Sequence, residues 1–352
     1  MEQEWTDMIT ELNKNEKKRF FLIMLILGIL LIMSILYSIV VGQYEMSIVD
    51  TLKAILNICL GMEYEINSTA EKVIMFIRFP RTIAAFIVGS CLGISGSVFQ
   101  STFNNKLVSP DVLGVSAGAC VGAAISILFG VSSYFVGIFA FVTGLMSVSI
   151  TLILPKLFKS NKTVTLVLSG IIVSSLMNSL IGIIKFLADK DDKLGEITFW
   201  MMGSLAGITF KEITTALPIF VISIIGVFLL RWKINIISLG EFEAKNLGEN
   251  FFLYRLLIIV FATCLTAVSV SLSGNVGWIG LVVPHISRGF VGGDNRYVIP
   301  ISFLFGGTFM LIVDVISRNF SVDEIPLSII TGLIGTVIYT VVLIKKGREL
   351  ND

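Results

Sequence analysis

Residues Arg231–Arg255 read RWKINIISLGEFEAKNLGENFFLYR and form a polar segment between two long apolar stretches. Within this segment Leu239, Phe242 and Leu247 recur at helical spacing, with charged residues between them. The pattern favours one or two short amphipathic helices over a membrane span, and a solvated loop with one helical turn is the alternative. We expect a chain that keeps such a segment between two apolar halves to present it to a partner.

The composition of the whole chain is that of an integral membrane protein. Of its 352 residues, 55% are hydrophobic and only 14% are charged, and the mean hydropathy is +0.91. In a soluble domain roughly a quarter of the residues are charged, so this chain is too apolar to belong to that class. The net charge of +1 gives no basic field of the kind that attracts nucleic acid, and membrane lipid is the expected surrounding.

No catalytic or metal site is visible in the sequence. The chain has no G-x-x-x-x-G-K-[ST] phosphate loop, no H-E-x-x-H and no nucleophile elbow. Its one histidine, His285, follows Pro284 and is interpreted as structural. The cysteines have no C-x-x-C spacing and are interpreted as apolar packing residues: Cys59, Cys91, Cys120 and Cys264. We expect no cofactor, so energy for uphill transport would come from a gradient or from another subunit.

The fold class is predicted to be all-α integral membrane, with about ten transmembrane helices. The predicted segments are Phe20–Val41, 78–103, Val112–Phe129, Tyr134–Leu154, Thr163–Ala188, Thr209–Leu230, Phe252–Leu272, the short Val276–Phe290, Tyr297–Ser317 and Pro326–Ile344. Gly42–Ile77 is too polar to cross and should form a helix and a loop at the outer surface. The chain then divides into a tail (residues 1–19), a single transmembrane domain (20–346) and a second tail (347–352).

Charge distribution predicts the orientation of these segments. A cluster of lysines with Arg19 precedes the first span, which favours a cytoplasmic N-terminus, and no small-residue cleavage site follows the span. With both termini cytoplasmic, the loop 231–255 is cytoplasmic and most lysines and arginines lie on the inner side. Glycines four residues apart, such as Gly89 and Gly93, predict close helix packing, mostly within the chain.

Several stretches together resemble one family. They are RFPRTIAAFIVG (78–89), GISGSVFQ (93–100), SPDVLGVSAG (109–118), FWMMGSLAG (199–207), LGEFEAKNLG (239–248), GWIGLVVPHISR (277–288) and EIPLSIITGLIG (324–335). The chain resembles, from about residue 73 to 346, the FecCD-type (BtuC-like) permease subunits of ABC importers for ferric siderophores, haem or cobalamin. One departure is NNKLV from Asn104, where the family usually has Asn-Pro-Leu-Ala, so Lys106 replaces the proline.

The resemblance implies a transport subunit of the bacterial cell membrane, most simply for an iron–siderophore complex. Its partners would be a second permease subunit (the same chain or a paralogue), a cytoplasmic ABC ATPase that uses ATP and Mg, and an extracytoplasmic substrate-binding protein. An ion-coupled secondary transporter is the alternative, but such a carrier usually has buried mid-span carboxylates. Here Asp314 is the one candidate, and it lies near the predicted outer end of a span.

Three groups of site residues are carried over from the family. The ATPase-coupling positions are Leu239, Gly240, Glu241, Ala244, Leu247 and Gly248. The binding-protein docking positions are Arg78, Arg81 and Arg318, for which intramolecular partners such as Asp314, Asp323 or Glu324, or lipid phosphate, are the alternative. The translocation path and gate positions are Ser174, Ser175 and Asn178 on the fifth span and Asn105 and Leu107 at the inner mouth. The alternatives there are hydrogen bonds between helices, a capping asparagine and a packed leucine.

Overall fold

The computed structural model describes residues 2–44, 46–60, 64, 68–157, 163–189, 192–321 and 323–349, and all regular structure in these ranges is helical. The helices are α1 (Glu2–Val40), α2 (Ile48–Leu60), α3 (Ser68–Val73), α4 (Phe79–Thr102), α5 (Val115–Leu128), α6 (Ser133–Leu157), α7 (Thr163–Leu187), α8 (Lys193–Met201), α9 (Phe210–Ser238), α10 (Glu241–Asn246), α11 (Phe251–Ser273), α12 (Ile279–Val291), α13 (Asn295–Asn319) and α14 (Leu327–Glu349). The predicted all-helical membrane fold is confirmed.

Within the described ranges, seven helices are long and apolar enough to cross a membrane, and three shorter apolar helices accompany them. The shorter ones are α5, α12 and the apolar part of α14, Leu327–Val341. Each predicted membrane segment therefore corresponds to a helix. Of the three short helices, only α12 was predicted to be short, whereas α5 and α14 were predicted to be full-length spans. The predicted span from Val112 was wrong at its start, because Pro110–Leu113 form a tight 3-10 turn and Gly114 has a left-handed backbone with φ +79°.

The second predicted span was also wrong at its start. The helix does not begin at Arg78 but at Ser68, and it continues through a π-helical turn, Ile74–Arg78, into α4. The π turn ends two residues before Pro80, which has no N–H to donate and whose ring would crowd the carbonyl four residues earlier. A widened turn at this position lets one helix continue past Pro80. The sequence alone instead predicts that a helix begins near this proline.

Small residues set the closest helix contacts around α4, the most buried membrane helix. A Cβ added at Gly89 would lie 2.1 Å from the carbonyl oxygen of Gly306 on α13, and one at Gly93 would lie 2.4 Å from that of Ser302. The backbones of α4 and α13 therefore touch, as glycines allow in membrane bundles. The prediction that these glycines pack within the chain is confirmed.

Candidate translocation and coupling site

The polar segment 231–255 contains a short helix, as the periodicity predicted. α9 ends at Ser238, and Gly240, with φ +103°, redirects the chain into α10. Gly248, with φ +76°, lies between α10 and α11, where the side chain of Asn250 accepts a hydrogen bond from the backbone N–H of Leu253. Glycine favours these left-handed turns because it has no Cβ to clash with the backbone. The loop thus holds α10 as a separate rigid piece between two long helices.

α10 and the residues that flank it expose apolar side chains beside charged ones. Leu239, Phe242 and Leu247 are 61%, 74% and 59% exposed, whereas Ala244 is fully buried against the bundle. Glu241 and Lys245 form an ion pair of 2.6 Å across one turn of the helix. A cluster of exposed large apolar residues beside charges is typical of a protein-binding surface. We call Leu239, Phe242 and Leu247 the apolar triplet.

The predicted gate residues lie in a tight turn after α4. Asn104 has φ +45°, and the backbone N–H groups of Asn104 and Asn105 donate to the carbonyls of Ser101 and Gln100. This is the Schellman arrangement that satisfies the last carbonyls of a helix. The Oδ1 of Asn105 accepts from the N–H of Leu107 at 2.9 Å, so Asn105 does cap the turn. Leu107 is 64% exposed, so it is not packed against the part of its own chain that the structure describes.

The predicted path residues lie on α7, which packs on one side against α5, α6 and the 3-10 turn Pro110–Leu113. Ser175, Asn178 and Gly182 share an exposed stripe of this helix, and Ser174 is half-buried beside Gly114. The side chains of Ser175 and Asn178 make no hydrogen bond to any residue of the described ranges. The alternative of hydrogen bonds between helices is therefore not realised by these two side chains. We call Ser175, Asn178 and Gly182 the polar stripe.

A different arc of α7 is purely apolar and exposed. It consists of Ile172, Leu176, Leu180 and Ile183, with exposed fractions between 37% and 55%. At 100° per residue, this arc lies roughly a quarter-turn or more from the polar stripe. Lipid suits the apolar arc, whereas the unpaired amide of Asn178 needs water or a second protein beside it.

Arg78, Arg81 and Arg318 lie at the end of the bundle opposite α10, and they are buried. Their exposed fractions are 2%, 5% and 5%. The guanidinium of Arg78 donates to the carbonyls of Ile39, Val40 and Tyr44 at 2.6–2.7 Å. Carbonyl groups within the chain therefore already accept the hydrogen bonds of Arg78.

Arg81 and Arg318 share the buried carboxylate of Asp314. Arg81 donates to Asp314 at 2.8 Å and forms a bidentate pair with Glu324 at 2.5 and 3.0 Å. Arg318 donates to the carbonyl and hydroxyl of Ser38 and lies 3.6 Å from Asp314. These are the intramolecular partners that the sequence left as an alternative. A docking role for the three arginines stays a prediction, and it would require these contacts to be exchanged.

A polar junction ties α9 to the start of α13, on the same end as α10. Asn235 donates to Asp294 at 2.7 Å, and its Oδ1 accepts from the backbone and side-chain nitrogens of Asn295 at 2.8 Å. Burial raises the pKa of Asp294, but hydrogen bonds from Arg296 and Asn235 outweigh burial and hold the pKa below its ordinary value. α9, which leads into α10, is thereby anchored to the start of α13, the helix that packs against α4.

His285 and the cysteines, which the sequence analysis interpreted as structural residues, lie on helices. The ring of His285 makes an edge contact with Tyr339, with centroids 6.0 Å apart. Cys91 and Cys120 are buried, Cys264 is half-buried, and the side chain of Cys59 lies outside the described residues. So do residues 158–162 and 350–352 of the predicted cytoplasmic regions. No cluster of potential metal ligands is present among the residues that the structure describes.

A model of the FecCD transport family matches residues 30–345. The chain belongs to the FecCD transport family. It is 33% identical to the molybdate import system permease protein MolB of Haemophilus influenzae, and the match covers 92% of this chain and 95% of MolB. The Fe(3+)-citrate import system permease protein YfmD of Bacillus subtilis is 31% identical, covering 88% of this chain and 90% of YfmD.

A solved structure supports the same assignment for this FecCD chain. A metal-chelate type ABC transporter in an inward-facing conformation matches with a TM-score of 0.82 at 33% identity. The match covers 92% of this chain and 99% of that one. The chain is therefore a membrane permease subunit of an ABC importer. The alternative, an ion-coupled secondary transporter, is excluded.

Arg255 is the residue of this site that sequence reasoning missed. It lies near the start of α11, is 7% exposed and faces a cavity that also borders α10 and the turn after α4. Its signal in the sequence was a single cation inside the first turns of an otherwise apolar span. Ionisable residues in such places are costly and therefore usually have a function.

Proposed function

We propose that this FecCD permease imports an iron–siderophore complex delivered by an extracytoplasmic binding protein. Haem, cobalamin and molybdate belong to the same set of candidates, since the family resemblance and the molybdate permease MolB point to them. The ferric citrate permease YfmD supports an iron chelate. The chain itself performs no chemistry on the cargo and binds no cofactor; ATP and Mg are used by a separate ATPase.

The apolar triplet of α10 is the observation that carries the coupling role. A membrane permease that hydrolyses no ATP needs a rigid contact with the subunit that does. The segment around α10 offers exposed apolar side chains beside two glycine turns with positive φ, while Ala244 anchors it to the bundle. In this proposal the α10 end is cytoplasmic, both termini lie on that side, and the arginine end faces the binding protein.

The polar stripe of α7 supports the proposed path. A second permease chain, identical or a paralogue, would face this stripe, so that Ser175 and Asn178 line a passage between the two subunits. The inner mouth would then lie at Asn105 and Leu107, on the α10 end of the same bundle. A passage lined with weakly polar groups suits a bulky, rigid cargo.

Co-purification tests this proposal first. The tagged chain, purified mildly from its own host, should bring down a P-loop ATPase in a ratio of one per permease chain. The protein gel also shows whether a second permease is present, which distinguishes a homodimer from a heterodimer. Absence of an ATPase under conditions that preserve other ABC complexes would overturn the coupling role.

Uptake measurements test the cargo. Cells lacking the chain are compared with complemented cells for uptake of radioactive ferric citrate, a ferric hydroxamate siderophore, cobalamin and molybdate. We expect the chain to restore uptake of a ferric siderophore at low concentration. Restoration of molybdate or cobalamin uptake alone would retain the importer and reject the iron assignment.

A further inference from the structure

A cavity of about 270 Å³ lies at the α10 end of the bundle, where α4, α7, α9, α10 and α11 meet. Its walls include Phe103 and Asn104 of the turn after α4, and Leu239 and Glu241 of the coupling segment. The first residue of α7, Thr163, also borders it. One small space therefore touches the proposed coupling helix, the proposed inner mouth and the helix that carries the polar stripe.

Arg255 of α11 lines this cavity. Its guanidinium carbon lies 5.8 Å from the ring centroid of Phe103 and 5.6 Å from that of Phe251. Glu241, the first residue of α10, borders the same cavity, so its carboxylate lies near enough to attract the positive charge of Arg255. A guanidinium stacks on aromatic faces and attracts carboxylates at the same time, which lysine does less well. Arg255 thus connects the start of α10 with the residue that ends α4.

Phe103 lies directly before the turn that forms the proposed inner mouth. Phe103 is the last residue before the left-handed Asn104, and the turn that follows carries Asn105 and Leu107. A displacement of the Phe103 ring therefore acts directly on the mouth residues, since only one turn separates them. Packed side chains that have two discrete arrangements are the usual means by which a small shift becomes a larger one.

We propose that Arg255 transmits the displacement of α10 to the inner mouth at Phe103–Leu107. It is a positioning residue, since it contacts neither ATP nor cargo. The inference rests on the proposed function, because an ATPase has to move α10 and the turn after α4 has to be the mouth. A purely structural Arg255 would change stability without changing how the mouth responds to nucleotide.

The test uses the intact permease–ATPase complex, with cysteine at the mouth as a reporter. Asn105→Cys is labelled with a water-soluble maleimide, once without nucleotide and once with ATP and vanadate. The complex without a cysteine at this position gives the background from the native cysteines. The labelling rates in the two states are compared for Arg255, Arg255→Met and Arg255→Lys. Arg231→Met is the matched control, because Arg231 is exposed on α9 and does not line the cavity.

With Arg255 present, we expect nucleotide to change the labelling rate by about tenfold, as for a mouth whose two states exchange populations. In Arg255→Met the two rates should become nearly equal while ATP hydrolysis continues. Arg255→Lys should recover part of the difference because it retains the charge over the rings. Arg231→Met should behave as the unmodified complex. An undiminished difference in Arg255→Met would overturn the proposal and leave the proposed function intact.

A second variant covers the case in which Arg255→Met does not fold. Phe103→Leu keeps an apolar side chain at the end of α4 and removes the ring that faces the guanidinium. It should also reduce the nucleotide-dependent difference at position 105, and a full difference in a folded Phe103→Leu complex overturns the proposal. If no ATPase accompanies the chain, or labelling of the unmodified complex ignores nucleotide, the proposed function fails and this inference fails with it.

Discussion

At the scale of single residues, the left-handed backbone of Asn104 is a feature that substitution can isolate. Asn104→Gly and Asn104→Val both remove the amide, but only valine has a β-branched side chain that opposes φ +45°. We expect Asn104→Val to destabilise the chain by about 1 kcal/mol or more relative to Asn104→Gly. Thermal unfolding of the two variants in detergent measures the difference. Equal unfolding temperatures would show that the turn relaxes without cost.

The buried guanidinium of Arg78 gives a second residue-scale prediction. Arg78→Glu would point a carboxylate at the carbonyls of Ile39, Val40 and Tyr44, which now accept hydrogen bonds. Leaving a buried charge without its partners costs about 3–5 kcal/mol, so we expect a large loss of thermal stability. Lys72→Glu, an equal change of charge at an exposed position of the same continuous helix, is the control. If both variants unfolded at the same temperature, the contacts of Arg78 would be unimportant for the fold.

The arginines also show which properties of single residues could not be predicted from the sequence. The sequence correctly placed Arg318 near the end of a helix, whereas Arg78 and Arg81 lie inside the continuous helix 69–102. Their burial could not be read, because the groups that bind them come from distant parts of the chain. Ser38 contacts Arg318 across 280 residues, and Asp314 contacts Arg81 across 233. Only the tertiary packing of α1, α4 and α13 brings these groups together.

At the scale of elements, the contact between α4 and α13 depends on glycine. A Cβ at Gly89 would lie 2.1 Å from the Gly306 carbonyl oxygen, which is backbone and cannot move alone. We expect Gly89→Leu to force the two helices apart and to abolish folded protein in size-exclusion chromatography. Gly28→Leu on α1, where a Cβ meets nothing within 4 Å, is the matched control. A monodisperse Gly89→Leu protein would show that the two helices can separate at little cost.

The junction between α10 and α11 gives the second element-scale prediction. At Gly248, φ is +76° and no atom lies within 4 Å of an added Cβ, so a substitution meets strain and not a clash. Gly248→Val should therefore re-aim α10 without unfolding the bundle, because strain at one residue costs about 1–3 kcal/mol. We expect ATP hydrolysis to continue in the complex while uptake falls, and parallel assays of the two activities measure this. Normal uptake by Gly248→Val would exclude α10 as the coupling element.

Element boundaries were predicted less well than element types, for local physical reasons. Apolar length identified every membrane segment, and periodicity identified α10. The start of α4 was misplaced because a π turn accommodates Pro80 inside one continuous helix. The start of α5 was misplaced because Gly114 takes a left-handed conformation that hydropathy does not encode.

At the scale of the whole molecule, the sequence and the family resemblance predict a helix for the path but not the face of that helix that would line it. The polar residues of α7 suggested a passage, and family resemblance supplied the helix. The exposed faces of α7 can be recognised only in the fold, where α5 and α6 cover one side of this helix and leave the polar stripe and the apolar arc uncovered. Two exposed faces of different chemistry on one helix suggest two different surroundings, namely a water-filled passage and lipid.

Accessibility to water distinguishes these surroundings and tests the assembly as a whole. Asn178→Cys lies on the polar stripe, and Leu176→Cys lies at nearly the same depth on the apolar arc, where Leu176 is 51% exposed. A maleimide reacts with the thiolate, which forms in water and not in hydrocarbon. In the assembled importer we expect a water-soluble maleimide to label position 178 several-fold faster than position 176, since charged and polar groups in the membrane interior face water-filled cavities. Equal and slow labelling of both would place α7 entirely in lipid, and the passage would then have to lie along another helix.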